Sequence, residues 1–120
     1  MRVIALLCLA PALLTLGCDS MELVIGVEPG PNATLVITNA NDRDWTDARL
    51  LVEAVESDNS TTVCTERRIG NWEPEQKITI PACGAKIRLT LTTEGETARF
   101  AYANGQLFRR FGRKEVPVSS

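Results

Sequence analysis

The chain has 120 residues, of which 44% are hydrophobic and 23% are charged, and its formal net charge is −2. This composition is typical of one folded globular domain and excludes a chain that is disordered throughout. Histidine is absent, which excludes histidine-based catalytic triads and histidine zinc sites. The small negative charge gives no electrostatic basis for binding nucleic acid. We therefore expect neither a cofactor nor a nucleic-acid partner.

The N-terminus has the pattern of an export signal. Arg2 precedes an apolar run over residues 3–16, which is shorter than the roughly 20 apolar residues that a membrane-spanning helix requires. The run ends in the sequence Leu14-Thr15-Leu16-Gly17-Cys18. This ending resembles the lipobox of bacterial lipoproteins, although Thr15 stands where leucine is usual. An ordinary secretory signal with an incidental Cys18, or an uncleaved anchor, is the alternative.

The lipobox resemblance implies a location and a set of boundaries. Signal peptidase II would remove residues 1–17, and Cys18 would carry a diacylglycerol that anchors the chain to the membrane. Residues 18–21 would form a short linker, residues 22–116 the folded domain, and residues 117–120 a polar tail. The domain would then face the periplasm or the cell exterior, close to the membrane surface.

The four cysteines have different expected fates. Cys8 lies in the apolar run and would leave with the signal, and Cys18 would be lipidated. Cys64 and Cys83 remain as an even pair in an exported domain, where the oxidising environment favours a disulfide. A redox pair, a metal site or two free thiols are the alternatives, but the chain has no Cys-x-x-Cys spacing and no histidine.

The chain after the signal is a series of short β-rich runs separated by turn residues. In chain order the runs are residues 22–27, residues 35–38, a segment that opens at Trp45 and is centred on residues 50–52, and residues 61–67, 77–80, 87–92, 97–103 and 106–108. Ile87, Leu89 and Leu91 alternate with polar residues, as in a strand with one buried face. Asn104-Gly105 between the last two runs predicts a hairpin with a type I′ turn.

About seven short strands without a helix predict an all-β fold, a small antiparallel β-sandwich. The segment 39–50 has a polar turn, then Trp45, then an apolar strand. It resembles the corner between the second and third strands of immunoglobulin-like or fibronectin type III-like bacterial domains, which implies an immunoglobulin-like sandwich. We expect Trp45 and Trp72 to anchor the core or a loop. The apolar spacing within residues 47–56 also fits a helix, which would make the fold α+β.

Two polar clusters are candidate sites. Asn39, Asn41, Asp42, Asp44 and Asp47 form an acidic corner that could bind calcium. Its spacing does not match an EF-hand, and asparagine and aspartate at a turn commonly bond to their own backbone. We expect turn chemistry there and no metal.

The second cluster is basic and is interleaved with aromatic residues. It consists of Arg109, Arg110, Arg113 and Lys114. It could dock an acidic protein partner or anionic lipid headgroups, or it could be a charged edge strand that discourages aggregation.

No serine or threonine has a recognisable catalytic base nearby in the sequence, so we do not expect an enzyme. The function that the sequence favours is a lipid-anchored binding or assembly module for a partner in the cell envelope. The alternatives are a small envelope enzyme or calcium-binding protein, and a secreted structural domain.

Overall fold

Nine β-strands and no helix make up residues 23–118, the part of the chain that the computed structural model describes. The strands are β1 Ile25–Gly30, β2 Thr34–Asn39, β3 Trp45–Val55, β4 Thr61–Trp72, β5 Lys77–Pro81, β6 Lys86–Thr93, β7 Glu96–Ala103, β8 Gln106–Phe111 and β9 Lys114–Pro117. The expectations for the signal 1–17, for lipidation of Cys18 and for the linker 18–21 lie outside the described residues. So do residues 119–120 at the end of the expected tail.

The strands form two antiparallel sheets. Strands β1, β2 and β5 make a three-stranded sheet in the order β1-β2-β5, and the others make a six-stranded sheet in the order β4-β3-β6-β7-β8-β9. The chain passes between the sheets after β2, β4 and β5, and the buried apolar side chains of both sheets form one core. The predicted antiparallel β-sandwich is therefore confirmed.

The core follows the predicted alternation of apolar and polar residues. Ile87, Leu89 and Leu91 of β6 are at most 2% exposed. Trp45 and Trp72 are fully buried, and their rings meet edge to face with centroids 5.2 Å apart. Burial of each large apolar side chain contributes on the order of 2 kcal/mol, so these residues hold the two sheets together.

The predicted hairpin is also confirmed. Asn104 and Gly105 have φ angles of 54° and 74°, and Ala103 pairs with Gln106 on either side of them. Both turn residues lie in the left-handed region that a type I′ turn requires. The turn therefore fixes the register of β7 against β8.

Segment 47–56 is strand and not helix, because Trp45–Val55 forms β3. Its helix-like spacing arises because both faces of β3 carry apolar residues. Leu50 and Val52 are fully buried, whereas Leu51 and Val55 lie half-buried on the opposite face. Asp47, with a φ of 53°, lies where the β3–β4 register shifts, and this bulge interrupts the alternation.

Several strands extend beyond the runs predicted from the sequence, and one strand matches none of them. β4 continues past Arg67 to Trp72, which the sequence placed in a loop. The segment 114–117 forms β9, a strand that was not among the predicted runs and that includes the first residue of the expected tail 117–120. It pairs with β8, from Lys114 opposite Phe111 to Pro117 opposite Phe108. A glycine turn joins them, since Gly112 has a φ of 62°. The structure therefore has nine strands rather than about seven.

Candidate functional surface

The predicted disulfide joins Cys64 of β4 to Cys83 in the β5–β6 connection. The two Cα atoms are 6.3 Å apart, within the range that disulfides span. Among the described strands, β4 lies at the edge of its sheet and pairs with β3 alone. A second link lies nearby, since Arg67 Nη1 donates a hydrogen bond of 2.8 Å to the carbonyl oxygen of Thr79 in β5. The hydrogen bond attaches β4 to β5, and the disulfide attaches it to the connection that follows β5.

Arg109 lies inside the sandwich and not on the predicted basic surface. It is 8% exposed, and its guanidinium carbon lies 5.1 Å from the centre of the Phe100 ring and 5.2 Å from that of Phe111. Such stacking stabilises a buried guanidinium through cation–π attraction. Nη1 also reaches the carbonyl oxygen of Leu23 at 3.5 Å. Burial therefore removes Arg109 from any docking surface of the folded domain.

The other three basic residues of the predicted cluster do not share one surface. Arg110 pairs with Glu115 across the β8–β9 ladder, whereas Lys114 pairs with Phe111. Because neighbouring residues of a strand point to opposite faces, Arg110 and Lys114 project from opposite sides of the sheet. Arg113 is exposed in the turn between the two strands. The structure therefore divides the predicted cluster among the core, the turn and the two faces.

The six-stranded sheet brings together a different set of basic residues, which the sequence analysis did not predict. The outer face is defined as the face of the six-stranded sheet turned away from the three-stranded sheet. Strand alternation and register place one arginine on it from each of five adjacent strands. In sheet order they are Arg68, Arg49, Arg88, Arg99 and Arg110.

Arg110 lies in an environment that combines burial with charges of both signs. Burial lowers the pKa of Arg110 from its ordinary value, and the positive charges of Arg88 and Arg99 lower it further. Glu115 and Glu53 act in the opposite direction. The charges of Arg88 and Arg99 on the outer face therefore act on Arg110, and those of Glu115 and Glu53 partly offset them.

Glu115 links the last strand to the outer face. Its carboxylate lies 3.1 Å from Lys86 Nζ and 3.6 Å from Arg110 Nε. The carboxylate is 25% exposed, the arginine side chain 19% and the lysine side chain 37%. The Glu115 carboxylate thus forms ion pairs with two cations, one on β6 and one on β8.

In the acidic corner, the asparagines bond to the backbone. Asn39 is fully buried, and its Nδ2 donates to the carbonyl oxygens of Trp72 at 2.8 Å and Arg43 at 3.1 Å. Its Oδ1 accepts from the Asn41 N–H at 2.8 Å, and Asn41 Oδ1 accepts from the Val24 N–H at 3.1 Å. These oxygens hold the β2–β3 connection. Within residues 23–118 no cluster of three or more metal-binding side chains is found.

A groove of about 790 Å³ lies where β1 faces β8 and β9. The described residues that line it include Val24, which precedes β1, residues 25–27 of β1, and Tyr102, Gln106 and Leu107. None of these described residues carries a formal charge, and Tyr102 and Gln106 contribute polar side chains.

Nothing in the described part of the chain is a helix long and apolar enough to cross a membrane. Comparisons with protein-family models, with curated proteins and with solved structures found no match to this chain.

Proposed function

We propose that this chain is a lipoprotein of the bacterial cell envelope whose β-sandwich binds a partner there. The observation that carries the proposal is the lipobox-like sequence ending in Cys18, followed after only a few residues by the folded domain at Leu23. An extended chain covers at most about 3.5 Å per residue, so a lipid on Cys18 would hold the domain within roughly 20 Å of the membrane.

The disulfide supports export to an oxidising compartment. Disulfides persist in the periplasm and outside the cell, and they are rare in the reducing cytosol. Pairing of Cys64 with Cys83 agrees with a domain that folds after export. We propose the same location, facing the periplasm or the exterior, for the whole mature chain.

The immunoglobulin-like relationship is likewise a proposal. Strands β1, β2 and β5 oppose β4, β3, β6 and β7, with crossings between sheets of the kind found in immunoglobulin and fibronectin type III sandwiches. Strands β8 and β9 widen the second sheet beyond that pattern. Domains of this architecture present loops, edges and sheet faces to partners, which supports binding rather than catalysis. Arg113 and Lys114 remain candidates for partner contact because both are exposed.

Metabolic labelling with radioactive palmitate in a bacterial host tests the lipid anchor. We expect label on the wild type and on the Cys8→Ser control, and no label on Cys18→Ser. Cys8 is a matched control because it is a second cysteine of the same N-terminal segment. Absence of label from all three proteins would refute the lipoprotein assignment and leave a secreted domain.

A further inference from the structure

The folded domain begins beside the end of strand β8. Leu23, the first residue that the structure describes, is fully buried, and its carbonyl oxygen lies 3.5 Å from Nη1 of Arg109. The Arg109 guanidinium in turn contacts the ring of Phe111, the last residue of β8, with its carbon 5.2 Å from the ring centre. These contacts place the start of the domain close to the β8–β9 turn.

Two exposed cations lie at that turn. Gly112 and Arg113 join the two strands, and Lys114 begins β9. Arg113 and Lys114 are both exposed, and neither forms an ion pair with another residue in the part of the chain that the structure describes. The adjacent Glu115 carboxylate pairs instead with cations on β6 and β8. We call Arg113 and Lys114 the basic tip.

Lys114 projects on the same side of the sheet as Arg109. It is the cross-strand partner of Phe111, and such partners share a face, with their Cβ atoms about 5 Å apart. The contacts described above therefore keep Lys114 within roughly 20 Å of the Leu23 carbonyl oxygen. Five extended residues, the separation of Cys18 from Leu23 in the sequence, reach a similar distance of about 17 Å.

Exposed apolar side chains lie at the same end of the domain. In the described part of the chain only three large apolar side chains are exposed, namely Val24 at 40%, Val63 at 58% and Val116 at 45%. Val24 directly follows Leu23, and Val116 is the cross-strand partner of Arg109. Single exposed valines are ordinary on a protein surface, but apolar side chains beside basic ones are typical of segments that lie in a membrane interface.

We propose that the basic tip rests on anionic headgroups of the membrane that holds the Cys18 lipid, with Val24 and Val116 beside it at the interface. This orientation depends on the lipid anchor proposed above, because an anchor at Cys18 is what would hold the tip near the surface. An acidic protein would also satisfy the two cations, but it would leave the two exposed valines and the closeness to Cys18 unexplained.

The charges set the expected size of the effect. An anionic surface attracts each nearby basic residue by the equivalent of about a fivefold gain in partitioning, so the two residues of the basic tip favour an anionic membrane roughly 30-fold. Asp19 and Glu22 oppose this attraction. Since they lie within four residues of Cys18, they stay near an anchored surface whether or not the tip docks. We therefore expect them to reduce the preference without removing it.

The reactivity of Lys114 measures the contact. The mature chain 18–120 is oxidised so that Cys64 and Cys83 form their disulfide, which leaves Cys18 as the only free thiol, and that thiol is coupled to a maleimide lipid in vesicles. A membrane-impermeant acetylating reagent then modifies the exposed lysines, and mass spectrometry gives the rate at each. We expect acetylation of Lys114 to be at least about fivefold slower on phosphatidylcholine vesicles that contain phosphatidylglycerol than on phosphatidylcholine alone.

Lys77 is an internal control in the same molecules. It is exposed on β5, which lies at the other edge of the smaller sheet from β1, so its acetylation rate should agree within about twofold on the two kinds of vesicle. Equal slowing of Lys77 and Lys114 would show a general effect of surface charge and would overturn the proposal, as would equal Lys114 rates on both kinds of vesicle. The wild type alone supplies this comparison, so it does not depend on the folding of any variant.

Matched variants test the residues of the tip. Arg113→Gln should bring the Lys114 rate on anionic vesicles to within about twofold of its rate on neutral ones. Arg68→Gln removes the same charge from β4, at the opposite edge of the same sheet, and should keep the slowing. Val116→Ser should also weaken the slowing, whereas Val63→Ser on β4 should not. Slowing that survives Arg113→Gln unchanged would refute the role of the basic tip.

A last arm separates the membrane from an acidic protein. Slowing of Lys114 by hexaglutamate peptide in solution, without slowing on anionic vesicles, would assign the tip to an acidic protein and overturn the membrane contact. Because the maleimide lipid supplies the anchor, the vesicle result does not depend on whether a bacterial host lipidates Cys18. Palmitate labelling and the protection of Lys114 can therefore fail independently of each other.

Discussion

Replacing Cys64 and Cys83 together by serine removes the covalent link between β4 and the connection that follows β5. The two residues are 19 positions apart in the sequence. Freeing a loop of this length in the unfolded chain lowers the free energy of unfolding by about 3 kcal/mol. For a domain of this size, that loss corresponds to a fall of roughly 12–24 °C in the melting midpoint. Because β4 pairs with β3 alone among the strands of residues 23–118, we also expect faster amide exchange in β4 than in β3.

Urea unfolding followed by circular dichroism measures the free energy, and wild type treated with dithiothreitol should behave like the double variant. Val63→Ser is the matched control. Val63 precedes Cys64 in β4 and is 58% exposed, so its replacement should change the free energy of unfolding by no more than about 0.5 kcal/mol. A loss below about 1 kcal/mol in the double variant would show that the disulfide does not restrain the unfolded chain as argued.

Three further predictions concern single residues. Asn39→Ala leaves three backbone groups without their buried hydrogen-bond partner. The free energy of unfolding measured in urea should therefore fall by about 3 kcal/mol, and a fall below about 1 kcal/mol would contradict this. A Cβ at position 105 would meet no atom within 4 Å, but Gly105 has a φ of 74°. Calorimetry of Gly105→Ala should therefore show a loss of about 1 kcal/mol in the free energy of unfolding, caused by backbone strain alone. Hydrogen bonds from Ser60 lower the pKa of Asp58 below its ordinary 3.8. The stabilisation by Asp58 is therefore complete above that pH and is lost as the pH falls below it. Asp58→Asn should weaken the acid dependence of urea unfolding, and parallel pH curves for the two proteins would refute this.

The sequence contained enough information to predict part of the basic outer face of the six-stranded sheet. The two-residue turn Asn104-Gly105 pairs Ala103 with Gln106, and counting outward from it brings Arg99 beside Arg110. The turn before β7 pairs Thr93 with Glu96 in the same way, and counting from it brings Arg88 beside Ala101. Tight turns fix register, so a basic surface built from three strands was a better hypothesis than one built from neighbouring residues in a single segment.

The register between strands that are distant in the sequence could not be predicted, because no tight turn joins them. The β3–β4 register shifts at a bulge near Asp47, and the β3–β6 ladder joins residues about 40 positions apart, such as Arg49 and Thr92. The burial of Arg109 could not be predicted either, because an arginine between phenylalanines in the sequence can be solvated or stacked on a ring. Its position depends on contacts with Phe100 and Phe111 in the folded sheet.

The unequal connectivity of the six-stranded sheet has a consequence for the order of folding. Strands β6 to β9 follow one another through tight turns, so each of their ladders begins between residues only a few positions apart. The β3–β6 ladder requires closure of a much longer loop, which is entropically slower. We expect the transition state to contain the β6–β9 meander. In stopped-flow experiments Leu89→Ala should then slow folding, whereas Ile25→Ala in β1 should mainly accelerate unfolding. The opposite pattern would place the folding nucleus at the N-terminal sheet.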